Sequence, residues 1–116
     1  MQKVSISEKL QSFDKYWQSK LVGEFNGQSM KLAKLKGDFD WHRHNAEDEF
    51  YLVLKGQLSI EFEKESVTLG EGELFIIPRN TGHRLSSPQD VHVLIIEPKS
   101  TMHMDLVKEE KDAESK

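Results

Sequence analysis

The stretch "WHRHNAEDEFYLVLKG", residues 41–56, places two histidines and three carboxylates within nine residues, then turns apolar and stops at a glycine. In an extended chain, side chains at i and i+2 project from one face. His42 and His44 therefore present two imidazoles to one point while Arg43 points away. A turn through residues 45–48 then brings Glu49 back beside them, at the start of an apolar run. Two neutral imidazoles and a carboxylate suit Fe(II), Mn, Ni, Cu or Zn. The same residues also suit a solvated polar turn entering a strand, and this stretch alone leaves both readings open.

The segment "GEGELFIIPRNTGHRL", residues 70–85, bears on the choice. A glycine turn feeds an apolar strand, Pro78 ends it, and His83 follows five residues later. If strand 74–77 pairs back beside the first stretch, the turn after it delivers His83 to the same place. Three histidines and one carboxylate would form a facial cluster with one or two coordination positions open, the feature that separates a working metal site from a structural one.

Around these two stretches the pattern is that of strands. Asn26-Gly27 between two strand-like runs is a hairpin signal. Further strands are predicted over 50–55, 58–63, 66–69, 74–77 and 91–97, with turns at Lys55-Gly56, Gly70-Glu71-Gly72, 78–82 and Ser86-Ser87-Pro88. Leu58, Ile60 and Phe62 alternate with Ser59, Glu61 and Glu63, so that strand has one buried face. By contrast "FYLVL" (50–54) and "LFIIP" (74–78) are apolar on both faces. One face fits a barrel interior; the other calls for cover by a helix or a second subunit, which favours a homodimer. Before the strands, "SISEKLQSFDKYW" (5–17) reads as a short amphipathic helix, with a Ser5/Glu8 capping box and a stripe of Ile6, Leu10, Phe13 and Trp17.

Composition narrows the partners. With 116 residues, 36% hydrophobic and 31% charged, the chain is expected to form one soluble domain. We expect a helical extension over 1–19, a barrel over 20–104 and a disordered charged tail over 105–116, which makes nearby His103 a poor ligand candidate. A net charge of −4 with scattered Lys and Arg gives no reason to expect nucleic acid. No apolar run reaches membrane-spanning length and the first residues lack a leader's apolar core, so a cytoplasmic location without membrane association is expected. There are no cysteines, so any metal must be held by His, Asp, Glu or water.

The two stretches together resemble the paired motifs of the cupin family. The first is commonly written G-x5-H-x-H-x3,4-E-x6-G, and His42-x-His44-x4-Glu49-x6-Gly56 matches it, although Gly37 lies one residue too near His42. The second, G-x5-P-x-G-x2-H-x3-N, is matched by Gly72, Pro78 and His83, with Asn80 in place of the middle glycine and Ser87 in place of the asparagine. Asn tolerates the left-handed backbone that glycine would supply. The resemblance implies an all-β fold, a double-stranded antiparallel jelly-roll barrel, with His42, His44, Glu49 and His83 holding one divalent transition metal (Fe, Mn, Ni, Zn or Cu). It also implies that dimers are common.

Other side chains are weaker candidates. Tyr51 shares the face of Glu49 and fits either a hydrogen-bond donor in the cavity or wall packing. Arg79 and Arg84 flank His83 and suit an anionic substrate or simple solvation, and His92 on the last strand suits a cavity or a satisfied barrel histidine. Trp41 beside His42 reads as packing rather than substrate stacking. Two functions compete: a metal-dependent enzyme on a small molecule, dioxygenase-like or isomerase-like, and a non-catalytic module that binds a sugar or another small molecule.

Overall fold

The hairpin at Asn26-Gly27 shows how local chemistry starts the sheet. In the computed structural model, which describes residues 2–44 and 46–99, both turn residues have positive φ (51° and 76°). That geometry matches the right-handed twist of the strands it joins. Strand β1 (Ser19–Phe25) runs into it and β2 (Gln28–Asp38) runs out, paired antiparallel from Phe25↔Gln28 onward.

The remaining strands are β3 (Glu49–Lys55), β4 (Leu58–Glu61), β5 (Ser66–Leu69), β6 (Leu74–Ile77) and β7 (Arg84–Pro98). All pair antiparallel, in the order β1-β2-β7-β3-β6, with β4 joined to β5 and to β7. The all-β architecture expected from the alternation is therefore the one observed. Among the described residues no helix is long and apolar enough to cross a membrane.

Strand β7 ties the two halves together. Its first residues pair with β4 (Ser59↔Ser86), and residues from Val91 onward pair with β2 and β3. Between these parts, residues 88–90 stand opposite Lys36 alone, because the register passes from Leu35↔Val91 to Gly37↔Ser87. A proline within a strand is tolerated at such a bulge, where no ladder donor is needed. The turn expected at Ser86-Ser87-Pro88 is thus corrected: the chain bends there without leaving the sheet.

Inward side chains of β2, β3, β4 and β7 make the core: Ala33, Leu35, Tyr51, Val53, Leu58, Ile60, Val91, Val93 and Ile95 are all essentially inaccessible to water. Each large aliphatic removed from water contributes ~1.5–3 kcal/mol before entropy is counted. Two opposite charges pair within this interior. Lys31 and Glu97 form an ion pair at 2.6 Å with side-chain exposures of 3% and 1%, the pairing a buried charge requires.

Helix α1 (Ile6–Gln11) begins as expected, with Ser5 Oγ accepting from the Glu8 N–H at 3.3 Å. It ends at Gln11, however, and has no buried residue. The single helical stripe through Phe13 and Trp17 does not form. Trp17 instead sits in a turn with φ 65°, its indole N–H donating to the Lys36 carbonyl at 3.0 Å and its ring 5.2 Å from that of Phe39. The tail from residue 105 and His103 lie outside the described residues.

Candidate metal centre

His42 and His44 follow the end of β2, Glu49 opens β3, and His83 immediately precedes β7. Three separate parts of the chain converge because of backbone pairing. His42 N–H donates to the His83 carbonyl at 3.0 Å and His83 N–H donates back to His42 at 2.9 Å, an isolated antiparallel bridge. Asn80 N–H donates to the His44 carbonyl at 2.6 Å and adopts φ 59°, the left-handed conformation for which Asn is suited.

The side chains then meet. Ring centroids of His42 and His83 are 4.2 Å apart, those of His42 and His44 5.4 Å, and those of His44 and His83 6.2 Å. Glu49 lies between two of them, with His44 Nε2 3.2 Å from Oε2 and His83 Nε2 3.4 Å from Oε1. One potential ligand atom each from His42, His44 and Glu49 fall within 4.8 Å of one another, a group that could hold a metal ion.

Proton positions follow from the backbone. His42 Nδ1 lies 3.1 Å from the Asp40 carbonyl, and His83 Nδ1 lies 2.9 Å from the Thr81 carbonyl. A carbonyl oxygen only accepts, so both Nδ1 atoms carry hydrogen and both Nε2 atoms carry a lone pair when the rings are neutral. Those two Nε2 atoms are buried and make no hydrogen bond among the described residues. Imidazoles that ligate metals are oriented by this kind of hydrogen bond on the other ring nitrogen. Burial, then the neighbouring His83, push the His42 pKa down to about 4, so its ring is neutral throughout the range in which a metal would compete with protons. The donor set fits a divalent transition metal.

The weaker candidates are spread more widely. Tyr51 is buried on the inner face in a cross-strand row with Ile95 and Phe75. Arg79 is exposed and tied to Asp48, whose Oδ1 accepts from the Arg79 backbone N–H at 2.9 Å and from Nε at 3.3 Å, holding that carboxyl below its ordinary pKa. Arg84 pairs with Glu61 at 2.7 Å and stands over the Trp41 ring at 5.7 Å. His92 binds Asp90 at 2.9 Å in register with Lys34 and Lys55. It alternates with the buried Val91 and Val93 and so faces outward.

An open cleft of about 850 Å³ lies beside His42, bounded by that residue with Trp41, Arg43, the segment 62–65 and the 80–82 turn. Arg79, Arg84 and His92 do not line it. Sequence reasoning passed over Arg43, set aside as pointing away, and the interior pair Lys31 and Glu97. The last two were detectable as charges on the same inward parity as Ala33 and Leu35 on one strand and as Val93 and Ile95 on the other. Continuing the β3–β7 register one step from Phe50↔Ile96 sets Glu97 opposite Glu49.

Residues 29–97 match the Cupin domain family. The chain belongs to that family, and its antiparallel fold is the jelly-roll barrel. An uncharacterised protein of Bacillus subtilis (strain 168), YdbB, is 39% identical over 67 residues, which are 57% of this chain and 59% of that relative's length. A cupin-2 domain containing protein from Shewanella frigidimarina NCIMB 400 superposes with a TM-score of 0.82 at 32% identity, covering 83% of this chain and 94% of that one. The hydroquinone 1,2-dioxygenase PnpCD, solved with Cd²⁺ and 4-hydroxybenzonitrile, shares the fold with a TM-score of 0.69 at 19% identity over 78% of this chain and 69% of its own.

Proposed function

We propose that this cupin is a metal-dependent enzyme acting on a small molecule, with His42, His44, Glu49 and His83 as ligands of one divalent transition metal. The observation that carries this reading is the proton arrangement: backbone carbonyls take the Nδ1 hydrogens of His42 and His83 and leave two buried Nε2 lone pairs beside Glu49. A bound metal would supply a Lewis acid with positions open to dioxygen or to a substrate oxygen. The chain's own part is to hold the imidazoles in one tautomer, to keep a carboxylate in a site shielded from water, and to admit a small molecule from the cleft beside His42. The fold shared with a dioxygenase makes oxygen chemistry the first assay and isomerisation the second. A net charge of −4 supports a small molecule rather than nucleic acid as the partner.

A non-catalytic binding module is the second reading, favoured by the openness of the cleft. Metal content per chain, measured by elemental mass spectrometry on the wild type and on His44→Ala, tests the ligand set. About one transition-metal ion per chain, lost in the variant, is expected. No metal after reconstitution would overturn the proposal. Oxygen uptake and turnover by the loaded protein on panels of phenols, thiols and sugars then separate enzyme from module.

A further inference from the structure

We infer that the cleft beside His42 selects a planar aromatic ring bearing an acidic group, with Arg43 as the residue that sets this preference. The inference rests on the proposed small-molecule site and names the class of molecule it takes. Its walls carry two aromatic side chains: Trp41, 52% exposed, and half-buried Phe62, whose ring lies 5.9 Å from Phe75 and 6.4 Å from His83. An exposed indole is costly to leave in water, yet this one is held in place. The Arg84 guanidinium stands over it at 5.7 Å and is itself fixed by Glu61 at 2.7 Å. Such a fixed aromatic surface stacks a flat ring with little loss of side-chain freedom.

Charge orients the ring. Glu63, Lys64 and Glu65 line the cleft together, in a turn closed by the Phe62 N–H donating to the Glu65 carbonyl at 2.7 Å. Arg43, from a different part of the lining, donates from Nη1 to Asn80 Oδ1 at 3.3 Å and lies over Gly82. A Cβ at position 82 would come within 3.3 Å of the Arg43 Nη2 atom, so the glycine leaves room for the guanidinium to lie against the turn. Among the described residues Arg43 has no carboxylate partner. The two carboxylates of the 63–65 turn repel an acidic group and the Arg43 guanidinium receives it through a charge-assisted hydrogen bond. The ring then extends across the mouth between Trp41 and Phe62, with one edge toward His42.

Benzoate, benzyl alcohol and benzylamine, equal in ring and different in charge, are the probes. Each is titrated into the full chain, metal-loaded and metal-free, by calorimetry and tryptophan fluorescence, with Trp41→Phe separating the signal of Trp41 from that of Trp17. Benzoate is expected to bind tightest and to quench Trp41. Arg43→Gln is expected to lower benzoate affinity by about tenfold, the effect of losing one charge-assisted hydrogen bond, and to leave benzyl alcohol unchanged. Arg43→Lys should recover only part of the loss. Tighter binding of benzylamine, or a benzoate preference that survives Arg43→Gln, would overturn the inference. Elemental analysis of the same samples keeps the two proposals apart. Metal without benzoate binding sinks the cleft assignment alone, whereas benzoate binding without metal sinks the ligand set alone.

Discussion

At the scale of single residues, His42 has the clearest thermodynamic consequence. Its pKa lies near 4 in the folded chain, against about 6.5 for an unperturbed histidine. Between those values the unfolded chain holds a proton that the folded one refuses, so stability falls as pH drops through that window. The full shift is worth at most about 3.5 kcal/mol. Denaturant titrations of metal-free protein from pH 7 to pH 4 should show this loss, and His42→Gln, neutral throughout, should flatten the curve by a comparable amount. Parallel curves for the two proteins would mean that the ring is solvated. The four candidate ligands could be named from sequence because strand parity aligned His42 with His44 and motif spacing added His83. Arg43 escaped because parity says only that it points away, and what it points toward depends on a turn contributed by residues 80–82. The Lys31–Glu97 pair escaped because its two partners are 66 positions apart, and only the β2–β7 register makes them neighbours.

At the scale of elements, glycines mark where backbone approaches backbone. Gly56, closing the first motif, has φ 85°, and a Cβ there would lie 2.6 Å from the Asp90 carbonyl oxygen in the bulge of β7. The contact is with main chain, so no rotamer change relieves it. Gly56→Ala is expected to destabilise the fold by about 2 kcal/mol or more and to lower Tm on the order of 10 °C. Calorimetry checks this; an unchanged Tm would mean that the bulge is free to shift. Short strands bounded by turn residues were legible from sequence almost to the residue: the reading of 66–69 and 74–77 matches β5 and β6, and 50–55 falls within β3, whereas 58–63 runs two residues past the end of β4. The long strand β7 was not, because Ser86-Ser87-Pro88 carries the composition of a turn and stays in the sheet through pairing with β4 and β2. The helix was overextended for the converse reason: Phe13 and Trp17 keep a helical spacing that the chain abandons at Gln11 to seat Trp17 against Phe39.

At the scale of the whole molecule, the sheet has an outer face that its own chain leaves partly open. Cross-strand register lines up Leu32, Leu94, Leu52 and Leu74 in one row and Met30, Ile96, Phe50 and Ile76 in the next. These are the second faces of the strands that sequence showed to be apolar on both sides. Helix α1 packs against β2, toward one end of the rows, where Leu32 is fully buried. At the other end Leu74 and Ile76 are 52% and 53% exposed. Two copies meeting through this face would cover both rows with the same side chains on each partner, the self-complementary arrangement of a two-fold dimer. A stable pairing needs about 1,200 Å² or more of total buried surface. Sedimentation at micromolar concentration should therefore give twice the chain mass. Ile76→Lys should return the monomer while leaving the circular dichroism intact, since an exposed position contributes little to the fold of one copy. A concentration-dependent Tm in the wild type, lost in the variant, would link the dimer to stability through mass action. A wild type that sediments as a monomer would leave the two-sided apolar strands without a role in assembly.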